Sequence, residues 1–156
     1  MNDRSFEDFY MKEYRHVLVI ARVLMGDRIR AEDVTQDAFV AALDAWGRLK
    51  NPEGWIRRVV ANKARSAWRR RYAEKNALKH LENEVHVGGD LPKETEAFWA
   101  NVRSLPPRQA QAVVLFYLED RPVHDVATIL GCSESTARVH LTRGRRRLAK
   151  SLGVNE

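Results

Sequence analysis

The sequence predicts an all-α protein built as two small helical bundles joined by a linker. Apolar residues recur at helical spacing through most of the chain, and no stretch shows the alternation of a half-buried strand. The segment 74–94 breaks this pattern with paired glycines and a proline, which are typical of a connecting segment. We therefore place one bundle in residues 1–73 and the other in residues 95–156, since the chain is long enough for two small domains.

The chain is basic, with a formal net charge of +6 over 156 residues, of which 44% are hydrophobic. The apolar content supports packed cores, and the excess of cations favours a nucleic-acid partner, although charge alone does not exclude an ordinary basic protein. The first residues lack the pattern of a secretory signal, no apolar stretch reaches the length of a membrane span, and Cys132 is the single cysteine. We therefore expect a cytoplasmic protein with no internal disulfide and no membrane partner.

The first bundle is predicted to begin with two helices. Ser5 and Asp8 resemble a capping box, and the apolar stripe that follows ends at Gly26. The second helix should run from about Ala31 to Trp46. One of its sides is small and apolar and should face the core, through Ala31, Val34, Ala38, Ala42 and Ala45.

The opposite side of the second helix is acidic, which is unusual in a basic chain. It carries Asp33, Gln36, Asp37, Val40 and Asp44. Carboxylates would repel phosphates, so we interpret this side as a surface that docks another protein. A solvated acidic face that only keeps the domain soluble is the alternative.

A third helix should begin at residues 51–53, which combine a capping asparagine, a proline at the first helical position and an early acid. Its predicted buried edge consists of Ile56, Val59, Val60 and Ala67. The rest of its surface is rich in arginine, with Trp55, Asn62 and Trp68 among the cations, which are Arg57, Arg58, Arg65, Arg69, Arg70 and Arg71. Cations mixed with aromatics and an amide are typical of a surface that holds phosphates and stacks on exposed bases. For either tryptophan alone, burial in the core beneath extended arginines is an equally good interpretation.

The second bundle is predicted to end in a helix-turn-helix. VHDVATIL has a single apolar face, Gly131 can end this helix in a left-handed conformation, and Ser133 can cap the next. In the second helix, Ala137 and Gly144 lie on the inner side, while arginines and short polar residues face outward. Small residues inside and cations outside suit a helix that enters the major groove of DNA. An ordinary helical hairpin with a basic face is the alternative, but the turn residues argue against it.

Three stretches of the chain, in this order, resemble the short bacterial sigma factors of the extracytoplasmic-function group, within the sigma-70 family. The family's region 2 helix that docks on core RNA polymerase resembles AEDVTQDAFVAALDAW, and the helix that recognises and opens the −10 element resembles NPEGWIRRVVANKARSAWRRR. Region 4, which reads the −35 element, resembles LPPRQAQAVVLFYLEDRPVHDVATILGCSESTARVHLTRGRRRL. The resemblance implies a promoter-specificity subunit that is not an enzyme and has no cofactor. The partners it implies are promoter DNA, core polymerase through the β′ clamp helices and the β flap, and in many members an anti-sigma protein.

The resemblance also implies roles for individual residues. The positions that contact polymerase are Asp33, Gln36 and Asp37. The positions that contact the −10 element are Trp55, Arg58, Asn62, Arg65 and Arg69, and the loop Gly47–Gly54 matches the segment that captures a flipped base. The positions that read the −35 element are Ser135, Thr136, Arg138, Val139, Thr142, Arg143 and Arg146. Ser66 stands where aspartate is usual, and Val139 and Thr142 also depart from the common residues, so the resemblance does not give the promoter sequence.

Two other classes of function agree with parts of the sequence. An autonomous helix-turn-helix regulator, with an N-terminal sensing or dimerising module, would bind an inverted repeat without polymerase. A nuclease could use Asp33 and Asp37 to hold a metal ion, but no phosphate-binding glycine loop and no cysteine–histidine metal spacing accompany them. We expect neither a metal nor a cofactor.

Overall fold

A computed structural model of the chain describes residues 3–77 and 93–153. Within these ranges the structure is helical and contains no strand, which confirms the predicted all-α class. A 3₁₀ turn, Trp46–Arg48, follows the second helix, and a π-helical turn, Val114–Leu118, extends the fifth. The helices are α1 (Asp3–Met25), α2 (Arg28–Ala45), α3 (Pro52–Ala77), α4 (Lys93–Arg103), α5 (Pro107–Val113), α6 (Val123–Leu130) and α7 (Glu134–Ser151). None of these helices combines the length and apolar character required to cross a lipid bilayer.

Two predicted helix starts differ from the structure. The chain is already helical at Asp3, so Ser5 lies inside α1 and the predicted capping box is wrong. The second helix begins at Arg28 rather than Ala31, because the Asp27 side chain accepts a hydrogen bond from the backbone N–H of Ile29 at 3.0 Å and caps the helix early. The third helix begins as predicted, with Asn51 Oδ1 accepting from the N–H of Gly54 at 3.2 Å.

The first bundle packs α1, α2 and α3 around a common apolar core that includes Val17, Ile20, Ile56 and Val60. The side of α2 that faces this core is rotated slightly from the predicted one. Val34 and Ala45 are only half-buried, and the buried residues of α2 are Ala31, Thr35, Ala38, Phe39 and Ala42. The buried side includes Phe39, a large aromatic whose ring centroid lies 5.6 Å from that of Phe9 on α1.

The second bundle confirms the helix-turn-helix. Gly131 has a φ of 72° and ends α6, and the next N–H, that of Cys132, donates to the Ala127 carbonyl at 3.0 Å. Ser133 Oγ then accepts from the N–H of Thr136 at 3.1 Å and starts α7. A Cβ at Gly144 would lie 3.0 Å from Val113 Cγ2, so glycine lets α7 approach α5 closely.

The two bundles pack against each other, a feature that the sequence did not predict. α3 packs on α5 and α6, α1 packs on α4, and both bundles contribute to one continuous hydrophobic core. Side chains of the second bundle also satisfy backbone carbonyls of the first. Gln111 Nε2 donates to the carbonyl of Ala61 at 2.8 Å, and Arg103 Nε donates to that of Val23 at 3.0 Å. The described chain is therefore one closed body in which α3 lies between the rest of the first bundle and the helix-turn-helix.

Candidate polymerase and nucleic-acid interfaces

The outer side of α2 forms the first candidate surface. Asp33, Gln36 and Asp37 are all exposed. Large apolar side chains lie along the same side and are also exposed, with Ile29 at 78%, Val40 at 60% and Leu43 at 49% of their full area. We call these six residues the docking face.

The docking face is both acidic and apolar. Apart from the adjacent Gln36 and Asp37, its residues recur at steps of three or four along α2, which keeps them on one side of the helix. Exposed apolar side chains mixed with carboxylates suit contact with a protein better than contact with phosphates. Ile29 and Leu43 were missed from the sequence, although their spacing from Val40 would have revealed them.

The second candidate surface is a stripe of α3 made of Arg58, Asn62, Arg65 and Arg69. The spacing of four, three and four residues places them on one side of the helix. Arg58, Asn62 and Arg69 are exposed, and Arg65 is half-buried. Their guanidinium and amide groups can donate hydrogen bonds to phosphates and base edges. We call this set the α3 stripe.

The sequence left open whether the tryptophans of α3 belong to the core or to a nucleic-acid surface, and the structure gives the two tryptophans different surroundings. Trp55 is half-buried and packs against the hydrophobic core, so a large part of its ring serves the fold. Trp68 is also half-buried, but its ring stacks on that of Tyr72, with centroids 5.1 Å apart and planes 10° from parallel. Tyr72 was not among the predicted site residues.

Arg57 corrects the sequence analysis, which counted it among the surface cations of α3. Its side chain is only 2% exposed. Nη2 forms an ion pair with Glu13 Oε1 of α1 at 2.7 Å. The same guanidinium donates through Nε and Nη2 to the two carboxylate oxygens of Glu119, in the second bundle. Arg57 therefore joins the two bundles instead of facing nucleic acid.

A second arginine extends this polar connection. Arg121 donates through Nη2 to Glu53 Oε1 on α3 at 2.5 Å, and through Nε to Glu119 Oε1 at 2.9 Å. It also pairs with Asp125, within its own bundle, at 3.0 Å. We call Glu13, Glu53, Arg57, Glu119 and Arg121 the interbundle network.

Two carboxylates of the interbundle network, those of Glu53 and Glu119, have lowered pKa values. The hydrogen bond from Arg121 lowers the pKa of Glu53, against a smaller opposing effect of burial. For Glu119, burial alone would raise the pKa, but the hydrogen bonds and charges of Arg57 and Arg121 outweigh burial and lower it. The arginines of the network thus favour the ionised forms of Glu53 and Glu119, which lie in different bundles.

The outer side of α7 forms the third candidate surface. All of the residues that the resemblance assigned to the −35 element are exposed, namely Ser135, Thr136, Arg138, Val139, Thr142, Arg143 and Arg146. The last five of them line one shallow groove. Cations beside a valine and short hydroxyl side chains can contact phosphates, base edges and thymine methyl groups.

Cations of the two bundles meet where α3 approaches the helix-turn-helix. The Arg58 guanidinium occupies the space that a Cβ would take at Gly131. Burial lowers the pKa of the Arg108 guanidinium, and the charges of Arg65, Arg58 and Arg69 lower it further. His140 on α7 likewise has a lowered pKa, through burial and then the charges of Arg108 and Arg143. Such a concentration of positive charge favours an anionic ligand.

The remaining predicted features are less distinctive. Of the predicted Gly47–Gly54 loop, only residues 49–51 lie between helical elements, since the 3₁₀ turn ends at Arg48 and α3 begins at Pro52. Leu49 packs on the core and Gly54 is buried, while Asn51 and the nearby basic residues are exposed. Cys132 is half-buried in the turn between α6 and α7. Within residues 3–77 and 93–153, no group of three or more histidine, cysteine, aspartate or glutamate side chains could hold a metal ion.

An acidic and apolar docking face, a basic helix beside it and a helix-turn-helix with exposed cations define a transcription factor that engages DNA and a protein partner. Residues 9–74 match the family model for sigma-70 region 2, and residues 95–148 match the model for sigma-70 region 4. The chain therefore belongs to the sigma-70 family, in the extracytoplasmic-function group.

Two curated relatives are similar over nearly the whole chain. The ECF RNA polymerase sigma factor SigM of Mycobacterium tuberculosis is 29% identical over 155 residues, which cover 96% of this chain and 78% of that protein. The RNA polymerase sigma-E factor of Streptomyces coelicolor is 26% identical over 152 residues, covering 95% of this chain and 86% of that protein.

Solved structures share the fold. The sigma factor RpoE of Bartonella quintana, in complex with the anti-sigma factor NepR, aligns with a TM-score of 0.78 and 22% identity, over 98% of this chain and 99% of that one. CnrH, in complex with the cytosolic domain of CnrY, aligns with a TM-score of 0.72 and 23% identity, over 99% of this chain and 92% of that one.

Family membership decides between the functions that the sequence left open. The chain is a promoter-specificity subunit that binds core RNA polymerase, recognises the −35 and −10 elements and helps to open DNA. It is not itself an enzyme, and the autonomous regulator is not favoured.

Proposed function

We propose that the three candidate surfaces divide the work of initiation among α2, α3 and α7. The docking face binds core polymerase, the α3 stripe binds the opened −10 element, and the outer side of α7 reads the −35 element as duplex. The observation that supports this division is charge: the one acidic face and the two basic faces lie on separate, exposed helix sides. Residues 1–73 would then carry the first two tasks and residues 95–156 the third. The predicted connecting segment 74–94 overlaps helices at both ends, since α3 continues to Ala77 and α4 begins at Lys93.

On the docking face, the carboxylates lie at the centre and the apolar side chains flank them. This arrangement supports binding to a protein partner, core polymerase. Carboxylates would select basic partners, such as the β′ clamp helices, while Ile29, Val40 and Leu43 would supply most of the affinity by leaving water. Reversing Asp33 and Asp37 to arginine should abolish association with core polymerase without unfolding the chain.

The test is co-purification or fluorescence titration of the Asp33→Arg/Asp37→Arg variant with core polymerase. A matched control reverses Glu7 and Asp8, which are exposed on α1, and makes the same change in net charge. If the two variants bind polymerase equally well, α2 is not the docking helix.

The α3 stripe supports binding of single-stranded DNA because its donors are exposed on a helix side that also carries aromatic residues. Unstacking a base costs a few kcal/mol, and pocket and backbone contacts must compensate. Replacing Asn62 or Arg65 by alanine should slow opening of promoter DNA by the holoenzyme while leaving assembly with polymerase unchanged. Potassium permanganate reactivity of the melted thymines measures this step directly.

The outer side of α7 supports duplex recognition by arginines set beside short side chains. A bidentate arginine–guanine contact provides roughly 1–3 kcal/mol of discrimination against a wrong base. Arg143→Ala should therefore weaken binding at one −35 position specifically, whereas loss of a phosphate contact would weaken all sequences equally. A library of −35 variants, transcribed by the reconstituted holoenzyme, separates these outcomes.

We infer that the protein works in the cytoplasm, where polymerase and chromosome meet. One structural neighbour was solved with the anti-sigma factor NepR, and another, CnrH, with the cytosolic domain of CnrY, which supports an anti-sigma protein as a further partner here. Pull-down with the docking face and with the α3 stripe mutated in turn would show which surface such a protein covers.

A further inference from the structure

The stacked pair of Trp68 and Tyr72 lies on α3 outside the set of residues that defines the α3 stripe. The two residues are four apart on α3, so their side chains can meet on the helix surface. Their rings are nearly parallel, with centroids 5.1 Å apart. Tyr72 is 55% exposed, so a large part of its ring remains open to solvent although Trp68 covers one side. A stacked aromatic pair with an open ring can add another flat ring to the stack.

Tyr72 continues the α3 stripe. It follows Arg69 by three residues, which extends the stripe's spacing of four, three and four by one further step on the same side of the helix. From Arg58 to Tyr72 the helix rises about 21 Å, at about 1.5 Å per residue. Since stacked bases repeat every ~3.4 Å along a strand, this length corresponds to about six base steps. Tyr72 therefore marks one end of a short run of bases held along α3.

From this placement we infer that Tyr72, supported by Trp68, is a stacking platform for an unpaired base at the end of the opened strand. The ligand is a nucleobase of single-stranded DNA, and the neighbouring Arg69 is placed to contact the adjoining phosphate. Stacking on an aromatic ring is possible for any base, so the platform would fix the position of the strand's end without reading its sequence. This inference rests on the proposed role of α3 in binding the −10 element.

The stack could instead be an ordinary pair of neighbouring side chains that only stabilises α3. The two explanations differ in what a nucleic acid does to the exposed ring. A platform must change the environment of one base in the opened strand, whereas a purely structural pair changes none. The hydroxyl of Tyr72 is not required for stacking, so phenylalanine should replace it fully, whereas alanine should not.

The experiment uses the holoenzyme reconstituted with the full chain and promoter DNA carrying a pre-opened −10 segment. The fluorescent base 2-aminopurine is placed singly at each position of the non-template strand in that segment. In the natural chain, one position near an end of the segment should be quenched by stacking. Tyr72→Ala should remove this quenching and weaken binding of the pre-opened DNA about 5- to 150-fold, the range expected for loss of one base–aromatic stack. Tyr72→Phe should retain both properties.

Two further variants keep the outcomes distinct. Tyr117→Ala removes a tyrosine of similar exposure, at 50%, from the other bundle and should leave binding of the pre-opened segment unchanged. Asn62→Ala tests the α3 stripe itself. If Asn62→Ala weakens binding and Tyr72→Ala does not, the platform is refuted while the role of α3 stands. If neither variant has an effect, the proposed −10 surface fails, and the platform fails with it.

Discussion

Replacing Arg57 by methionine should destabilise the whole protein more than any exposed ion pair could. Methionine keeps much of the length of the side chain but removes the guanidinium that serves Glu13 in one bundle and Glu119 in the other. Arg57 is 2% exposed, so solvent cannot replace the lost charge. Removing one partner of a buried ion pair costs about 3–5 kcal/mol, because the remaining charge is left uncompensated.

The magnitude can be checked by thermal and denaturant unfolding followed by circular dichroism. For a chain of this size, each kcal/mol shifts the midpoint by about 2–4 °C, so Arg57→Met should lower it by about 10 °C. The exposed pair of Arg28 and Glu32 provides the control, because Glu32→Gln should cost less than about 0.5 kcal/mol. A change to Glu13→Gln/Arg57→Met/Glu119→Gln should recover much of the stability, since no unpaired charge would remain.

The outcome also reports on the contact between the bundles. The natural chain should unfold in one transition, because Arg57 and the shared core couple the two bundles. Arg57→Met should broaden or divide that transition. If Arg57→Met costs no more than Glu32→Gln, the guanidinium does not hold the bundles together, and the reasoning from burial is wrong.

Three further predictions concern pH and the glycine turn. The lowered pKa values of Glu53 and Glu119 mean that the unfolded chain binds more protons, so stability should fall as pH drops below about 4.5, and Glu119→Gln should flatten this loss in pH-dependent melting. His140, whose pKa is lowered from 6.5, is neutral at pH 7 in the free chain. A bound phosphate would favour its protonation, so DNA affinity should rise as the pH is lowered towards 6.5 in fluorescence anisotropy, and His140→Gln should remove this dependence. Gly131→Ala should cost at least about 1–2 kcal/mol, since φ is 72° there and the Arg58 guanidinium must also move. Gly153→Ala, with the same φ and open space around it, is the control, and equal midpoints for the two variants would exclude the arginine contact.

The features that local chemistry determines could be predicted from the sequence. The start of α3 follows from Asn51 and Pro52, and the turn between α6 and α7 follows from Gly131 and Ser133, because each depends on a few adjacent residues. The candidate surfaces of α2 and α7 follow from helical spacing for the same reason.

The contact between the bundles could not be predicted in this way. Arg57 has the same sequence context as the exposed arginines of α3. It is buried because the fold brings it against Glu119, which lies sixty-two positions further along the chain. Gln111, which reaches the Ala61 carbonyl, is likewise unremarkable among the polar residues of α5. Burial of polar residues at long range depends on tertiary packing, which a single sequence does not reveal.

Because the two bundles pack into one closed body, the distance along DNA that the chain can span is limited by the size of that body. A compact chain of 156 residues has a radius of gyration of about 15 Å. Promoter elements some 25 base pairs apart are separated by about 85 Å along straight DNA, at ~3.4 Å per base pair. One closed body of this size is too small to touch both sites at once. If the surfaces of α3 and α7 act as proposed, the two bundles must separate to contact both elements, and the free energy for breaking their contact must come from binding to polymerase and DNA.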